Sequence, residues 1–154
     1  MDIYRYIRID DQLAASGQPL EDELVTLARD GCEVVINLAL HDNPDYSLAD
    51  EPGAVASAGM VYVHIPVQFD APTESDLLAF FAAMDAHRDR RVLVHCAANK
   101  RATSFIGLYR VIRQGRSVDA AFAPMRDIWE PDPVWASFIA SMLAALRPSG
   151  TGPA

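Results

Sequence analysis

The stretch VLVHCAANKRATSF, residues 92–105, changes character twice. Val92, Leu93 and Val94 are apolar, two of them β-branched, and with His95 they read as a short buried strand. A polar stretch follows. Apolar residues then return at helical spacing, which predicts a helix over roughly 102–113 with Gly115 as its stop. Cys96 therefore stands at the carboxyl end of a strand, just ahead of a helix start. A helix N-terminus presents unpaired backbone N–H groups and a partial positive charge. Both draw anions, phosphate above all. The same field favours thiolate over thiol: helix termini and nearby cations bring cysteine pKa values from about 8.5 down to roughly 3.5–7.5. Lys100 and Arg101 are the nearby cations here. Arginine adds a planar fork that can hold two oxyanion oxygens at once. A lone cysteine at a strand end is more often buried and inert. With His95 before it, Arg101 after it and a helix opening between, Cys96 reads as a nucleophile facing an oxyanion.

The neighbouring segments alternate strand and helix. Residues 3–15 suggest one or two short strands turning at Asp10 and Asp11. LEDELVTLARD predicts a helix with an acidic first turn that stops at Gly31. EVVINL reads as a buried parallel strand. HDNPDYS is a loop, a small helix near 49–58 stops at Gly59, and MVYVHIPV is another strand. Thr73 and Asp76 have the spacing of a capping box opening DLLAFFAAMDAHR. Beyond the quoted stretch come helices over 117–123, interrupted by Pro124, and over 133–146, with Asp132 as cap and Pro133 in the first turn. This order predicts an α/β protein with a mostly parallel central sheet of about 4–5 strands and helices on both faces. Ligands of such sheets sit beyond the carboxyl ends of the strands, where Cys96 stands. A single domain over residues 1–146 is expected, with 147–154, RPSGTGPA, as a disordered tail.

Composition narrows the function. The 154 residues carry a formal charge of −8, which argues against nucleic acid or an anionic membrane as partner. No apolar run approaches the roughly 20 residues that span a bilayer. The N-terminus lacks the pattern of a signal peptide, so the cytoplasm is the expected compartment. Eight of the 13 cationic residues fall between Arg88 and Arg116, opposed there by Asp89. That asymmetry reads either as a solvated basic face or as an anion site on an acidic protein. The histidines and carboxylates show no metal-ligand spacing, so no metal is expected. Cys32 opens the EVVINL strand, too far from Cys96 for a disulfide, and reads as structural.

HCAANKRAT resembles the His-Cys…Arg-Ser/Thr phosphate-binding loop of the cysteine-dependent protein tyrosine and dual-specificity phosphatases. EVVINL, VYVHIPV, FDAPTESDLLAFF, VLVHC and IGLYRVIRQGRSVDAA come in that superfamily's order, over roughly residues 12–145. The His-Cys-x-x-Asn-x-Arg loop and the SGQP of residues 16–19 are most similar to a bacterial phosphatase-like branch, the beta-lactamase hydrolase-like protein family. The resemblance implies a dual-specificity-phosphatase-like fold. It implies hydrolysis of phosphate monoesters through a phosphocysteine, without a cofactor, on a phosphorylated protein or small molecule. It also implies roles. Cys96 is the nucleophile, and Arg101 cradles phosphate with the backbone N–H groups of Ala97, Ala98, Asn99, Lys100 and Arg101 itself. His95 steadies the loop. Thr103, with Ser104 as second choice, supports the thiolate as leaving group. Asp70 in FDAPT protonates the leaving oxygen and then activates water, with Asp76 and Glu130 next in line.

One departure keeps other readings open. The superfamily places five residues between Cys and Arg, with Gly three after Cys; this chain has four, with Asn99 in the Gly place. Asparagine tolerates positive φ well. The missing residue swings a helical side chain by about 100°, so Arg101 can face the anion only if the loop is built differently. Rhodanese sulfurtransferases also have four intervening residues. Sulfur transfer, a phosphate-binding module of little or no turnover, and a redox-active Cys96 therefore stand as alternatives. Lys100 is expected to point outward, since it cannot share the direction of Arg101. His41 with Asp42 reads as surface loop, with substrate contact as the alternative. His64 reads as a packed or edge-strand residue. Trp129 and Trp135 read as core, with Glu130 as a candidate for the pocket rim.

Overall fold

The computed structural model describes residues 1–148; the expected tail thus lies, from 149 onward, outside the described residues. The five strands are β1 (Ile7–Arg8), β2 (Leu13–Ser16), β3 (Val34–Asn37), β4 (Val61–His64) and β5 (Val92–His95). They form one sheet in the order β1-β2-β5-β3-β4, parallel except for the β1–β2 hairpin. The hairpin turns where Asp10 Oδ1 accepts from the amides of Gln12 and Leu13, at 2.8 and 2.9 Å. Such an Asx turn is what a short polar side chain offers a tight reversal. The helices are α1 (Glu21–Arg29), α2 (Glu51–Ser57), α3 (Glu74–Ala86), α4 (Lys100–Ile112), α5 (Val118–Arg126) and α6 (Pro133–Leu146).

Successive strand side chains point to opposite faces, and both faces are apolar here. Val35 and Leu93 pack with Leu24 and Leu27 of α1 and Val55 of α2. Val34, Ile36 and Val94 face Phe80 of α3, Phe105 of α4 and Trp135 of α6. The expected two-sided architecture is therefore present, at the upper end of the expected strand number. The capping box of α3 forms in both directions, Asp76 N to Thr73 Oγ1 at 3.1 Å and Thr73 N to Asp76 Oδ2 at 3.2 Å.

Helix α4 is buried from Arg101 through Ile112, and four of the buried side chains, Arg101, Thr103, Ser104 and Arg110, are polar. Gly107 lets α5 come close: a Cβ there would overlap the ring of Phe122. Two helix boundaries differ from expectation. Helix α4 begins at Lys100, two residues earlier, because Asn99 takes the left-handed turn before it. Helix α5 continues through Pro124 to Arg126. Proline forgoes one backbone bond there, but Phe122 and Met125 on either side are buried in the core and hold the helical register.

The basic segment does not gather at one place. Arg88 and Arg90 line a small hollow with Asp10 and Gln114 at the entry to β5. Arg110 and Arg113 lie at the distal end of α4, with Arg113 paired to Asp85 at 3.4 Å. A four-residue strand and a 13-residue helix running back, at about 1.5 Å per residue, carry these groups to the far end of the sheet from Cys96. Lys100 and Arg101 alone of that segment stay beside it. Among the described residues, no helix is long and apolar enough to cross a membrane, and no group of three potential metal ligands occurs.

Candidate active site

The loop after β5 rests on the exit of β2. Cys96 N donates to Ser16 O at 3.3 Å and Gln18 N to Ala97 O at 3.0 Å. Gly17 has no room for a side chain, since a Cβ would stand 2.7 Å from Ala97 O. Asn99 has φ of 64°, the conformation in which asparagine best replaces glycine. Its Nδ2 donates to Arg5 O at 2.7 Å, and Arg5 Nη1 donates to Ala98 O at 3.3 Å. Asn99 O accepts from Thr103 N and Oγ1, and Lys100 O from Ser104 Oγ at 2.7 Å. Cys96 O accepts from His95 Nδ1 at 3.2 Å. Every carbonyl of residues 96–100 is thus occupied. Among the described residues the amides of Ala97, Ala98, Lys100 and Arg101, by contrast, donate to no acceptor, while the antiparallel bridge between Gly17 and Ala98 turns the Asn99 amide toward Ser16 O. Free amides at a helix N-terminus form an anion-binding nest.

Arg101 is the second residue of α4 and is 8% exposed. Its Nη1 donates to Val67 O at 2.8 Å, and its guanidinium carbon lies 5.8 Å from the Phe69 ring centre. Nε and Nη2 have no protein acceptor among the described residues. Arg101, Ala97, Phe69 and Asp70 line one cleft of about 330 Å³ together with Asp42 and Tyr46. The early start of α4 is what turns Arg101 there. Asp70 is exposed on the rim. Two concavities of about 500 and 530 Å³ lie elsewhere. Neither contains Arg101 or the loop, so size does not locate this site. Glu130 lines the apolar one between α5 and α6 and is absent from the Asp70 cleft.

Cys96 is buried, 1% exposed, and neither cysteine is paired. The hydroxyls proposed to support it point elsewhere. The Thr103 proton is committed to Asn99 O, and Ser104 turns toward Met125, 3.4 Å from its sulfur. Lys100 does not project into solvent. It is half-buried, its ammonium 5.8 Å from the Phe69 ring centre and 5.4 Å from that of Trp129. Trp135 is core, as expected. His64 lies on the edge strand β4 with Nε2 2.7 Å from Ala39 O, and His41 is on the exposed loop beside it, ring centres 6.5 Å apart. Cys32 lies at the other end of the sheet, in the cavity lined by Arg91, and burial raises its thiol pKa.

Glu51 enters the site with no warning from the sequence. It opens α2, is fully buried, and sets Oε2 2.6 Å from His95 Nε2. Its Oε1 accepts from Gln18 Nε2 at 2.7 Å. Both ring nitrogens of His95 thus meet acceptors, the Glu51 carboxylate and Cys96 O. Burial alone would raise the Glu51 carboxyl; the hydrogen bond and charge of His95, with Gln18 and His41, outweigh it and hold the group below its ordinary 4.5. A carboxyl depressed in the folded state stabilises the fold above its unfolded value, and that stability is lost as pH falls through the folded value. Glu51→Gln should therefore cost about 1.5–3 kcal/mol at neutral pH. It should also flatten the loss of stability below pH 4.5. Denaturant melts of both proteins at neutral and acid pH measure this; parallel pH curves would deny the pair its role.

A family model described as "DSP-PTPase phosphatase fused to NAD+ Kinase" matches residues 9–131. The chain belongs to this phosphatase family. The beta-lactamase hydrolase-like protein of Xylella fastidiosa (strain 9a5c) is 38% identical over 114 residues, 70% of this chain and 25% of that protein. The chain thus spans about a quarter of the length of the curated relatives it matches. A DUF442 chain of Shewanella putrefaciens CN-32, assigned as a phosphatase, superposes with a TM-score of 0.85 at 36% identity, covering 96% of both chains. Tk-PTP in its active form gives 0.72 at 25% identity, covering 92% of this chain and 95% of its own. The dual-specificity-phosphatase-like fold implied by the sequence resemblance is therefore the fold present.

Proposed function

We propose that this DSP-PTPase-family chain hydrolyses phosphate monoesters through a phosphocysteine intermediate. One observation carries the reading. Free amides at the start of α4 and the two free nitrogens of a buried arginine come directly after the Cys96 strand, and Ala97 and Arg101 line the same cleft as Asp70. Phosphoryl transfer needs positioning and charge stabilisation above all, and these groups supply both. The amides of Ala97, Ala98, Lys100 and Arg101 hold the non-bridging oxygens, with Arg101 Nε and Nη2 as a second two-point contact; the Asn99 amide would first have to leave Ser16 O. The Cys96 thiolate attacks phosphorus. The bond to the leaving oxygen breaks, and Asp70 gives its proton to that oxygen. Asp70, now a carboxylate, takes a proton from water as the water attacks phosphorus and the thiolate departs. His95, fixed by Glu51, steadies the strand end by its bond to Cys96 O. Thr103 would have to release Asn99 O to assist the thiolate.

The substrate class is a phosphorylated protein or small molecule. Proteins of the same fold at 18% and 19% identity hold PI(5)P (PTPMT1) and pTyr (TpbA of P. aeruginosa). The two free cysteines suit a reducing compartment, and the cytoplasm is the compartment proposed.

Assays of one purified sample with an aryl phosphate and with thiosulfate plus cyanide test the reading. Phosphate release, blocked by vanadate, is expected. Thiocyanate formed without phosphate release would favour sulfur transfer instead. Asp70→Asn should slow an alkyl phosphate by about 10²–10³-fold and a nitrophenyl phosphate by less than about tenfold, because only the poor leaving group needs the proton. Equal losses on both esters would take the acid role from Asp70.

A further inference from the structure

The position of Lys100 is unexplained by anion binding. Its backbone amide belongs to the nest, but its side chain is not among those lining the cleft. Among the described residues the ammonium has no carboxylate partner and no hydrogen bond; its neighbours are the ring faces of Phe69 and Trp129. A half-buried cation facing two aromatic rings is held by their negative faces. Those rings come from two remote segments: the loop between β4 and α3, and the connection from α5 to α6.

The rings belong to one cluster. Phe69 lies 5.6 Å from Trp129 and 6.0 Å from Trp135, centre to centre, and the two indoles are 6.2 Å apart. Trp135 Nε1 donates to Phe69 O at 2.7 Å. Asp70 is the next residue, and its carboxylate makes no hydrogen bond among the described residues. The placement of Asp70 therefore follows from how Phe69 is held. Arg101 contributes through Val67 O, but it is also the anion's arginine. Lys100 is not divided in this way: its side chain serves the acid loop alone.

We propose that Lys100 is a positioning residue that latches the Asp70 loop to the phosphate-binding loop through the faces of Phe69 and Trp129. The role assigned to Asp70 rests on the phosphatase reading above; the latch itself rests on the geometry. Latching matters because a displacement of about 1 Å in a catalytic group can lower a rate by about 10²-fold. The device joins cradle and acid in one residue, by its backbone at the anion and by its side chain at the loop.

Lys100→Met keeps the stem and removes the charge; Lys100→Arg keeps a cation that stacks on aromatic faces. Two readouts separate the latch from the chemistry. Trp129 and Trp135 are the two tryptophans of the chain, and Trp135 is fully buried, so quenching of tryptophan fluorescence by acrylamide reports mainly on Trp129. The Met variant should quench about twofold more readily, and the Arg variant like the parent. In kinetics the Met variant should slow an alkyl phosphate about 10–100-fold and a nitrophenyl phosphate only a few-fold, with the basic limb of the pH profile weakened and the Arg variant restoring both. Parental quenching together with parental leaving-group dependence overturns the latch. Equal losses on both esters without a change in quenching also overturn it, since the side chain would then act on the anion. A parent inert toward both esters removes the phosphatase reading, and the quenching of the two variants still decides whether Lys100 holds the loop.

Discussion

Cys96→Ser removes turnover of an aryl phosphate, by about 10⁴-fold or more, and leaves anion binding in place. The loss is large because serine would need a general base to become a nucleophile. The nearest imidazole, His95, is committed on one side to Glu51 at 2.6 Å and on the other to Cys96 O. No other base faces that position within the loop, whose carbonyls are all occupied and whose amides can only donate. Binding survives because the nest is made of backbone N–H groups and Arg101, none of which the substitution touches. The measurement pairs steady-state hydrolysis with the rise in melting temperature caused by inorganic phosphate, which reports affinity for the folded state. The serine protein should keep the rise and lose the rate. An unchanged rate would sink the phosphocysteine mechanism altogether.

The parts of this site that were legible in the sequence are those encoded within one continuous stretch. The strand–loop–helix joint, the left-handed Asn99 and the position of Asp70 beyond a strand end all follow from local pattern and chain order. Contacts between distant segments were not legible. Glu51 follows Asp50 at a helix start, where an acidic residue reads as complement to the helix dipole; nothing marks its partner, 44 residues away. Arg5 and Gln18 touch the loop because β2 pairs beside β5, a neighbour relation that strand order alone does not give. Lys100 misled for the same reason: the rings that capture it come from two other loops. The basic segment shows the converse. Residues close in sequence were carried apart by a strand and a helix that both lead away from Cys96. The one-residue shortening of the loop was legible, but its consequence was not. The helix simply begins earlier, and Arg101 reaches the cleft from within its first turn.

Arg101→Lys should separate the opposite half of the function: the phosphate-induced rise in melting temperature is lost, and kcat/KM for an aryl phosphate falls about 10³-fold. The charge is retained, so the loss measures geometry. Arg101 has three tasks in the structure. Nη1 holds Val67 O at 2.8 Å, the guanidinium lies 5.8 Å from the centre of the Phe69 ring, and Nε and Nη2 remain for the anion. An ammonium on a shorter reach cannot make a planar two-point contact and hold a carbonyl at the same time. With four residues between Cys96 and Arg101, the nest offers fewer amides than a longer loop would, so more of the oxyanion falls to the arginine. The effect should appear in KM as well as kcat, because the same contact is made with bound substrate and strengthened as charge develops. A crystal grown in concentrated sulfate provides the geometric check. An anion is expected over the Cys96 sulfur, within hydrogen-bond distance of the Arg101 guanidinium and the amides of Ala97, Ala98, Lys100 and Arg101, and absent from the Lys variant. If the Lys variant keeps both the anion and the rate, the backbone nest alone carries binding, and Arg101 is reduced to a strut beneath the Asp70 loop.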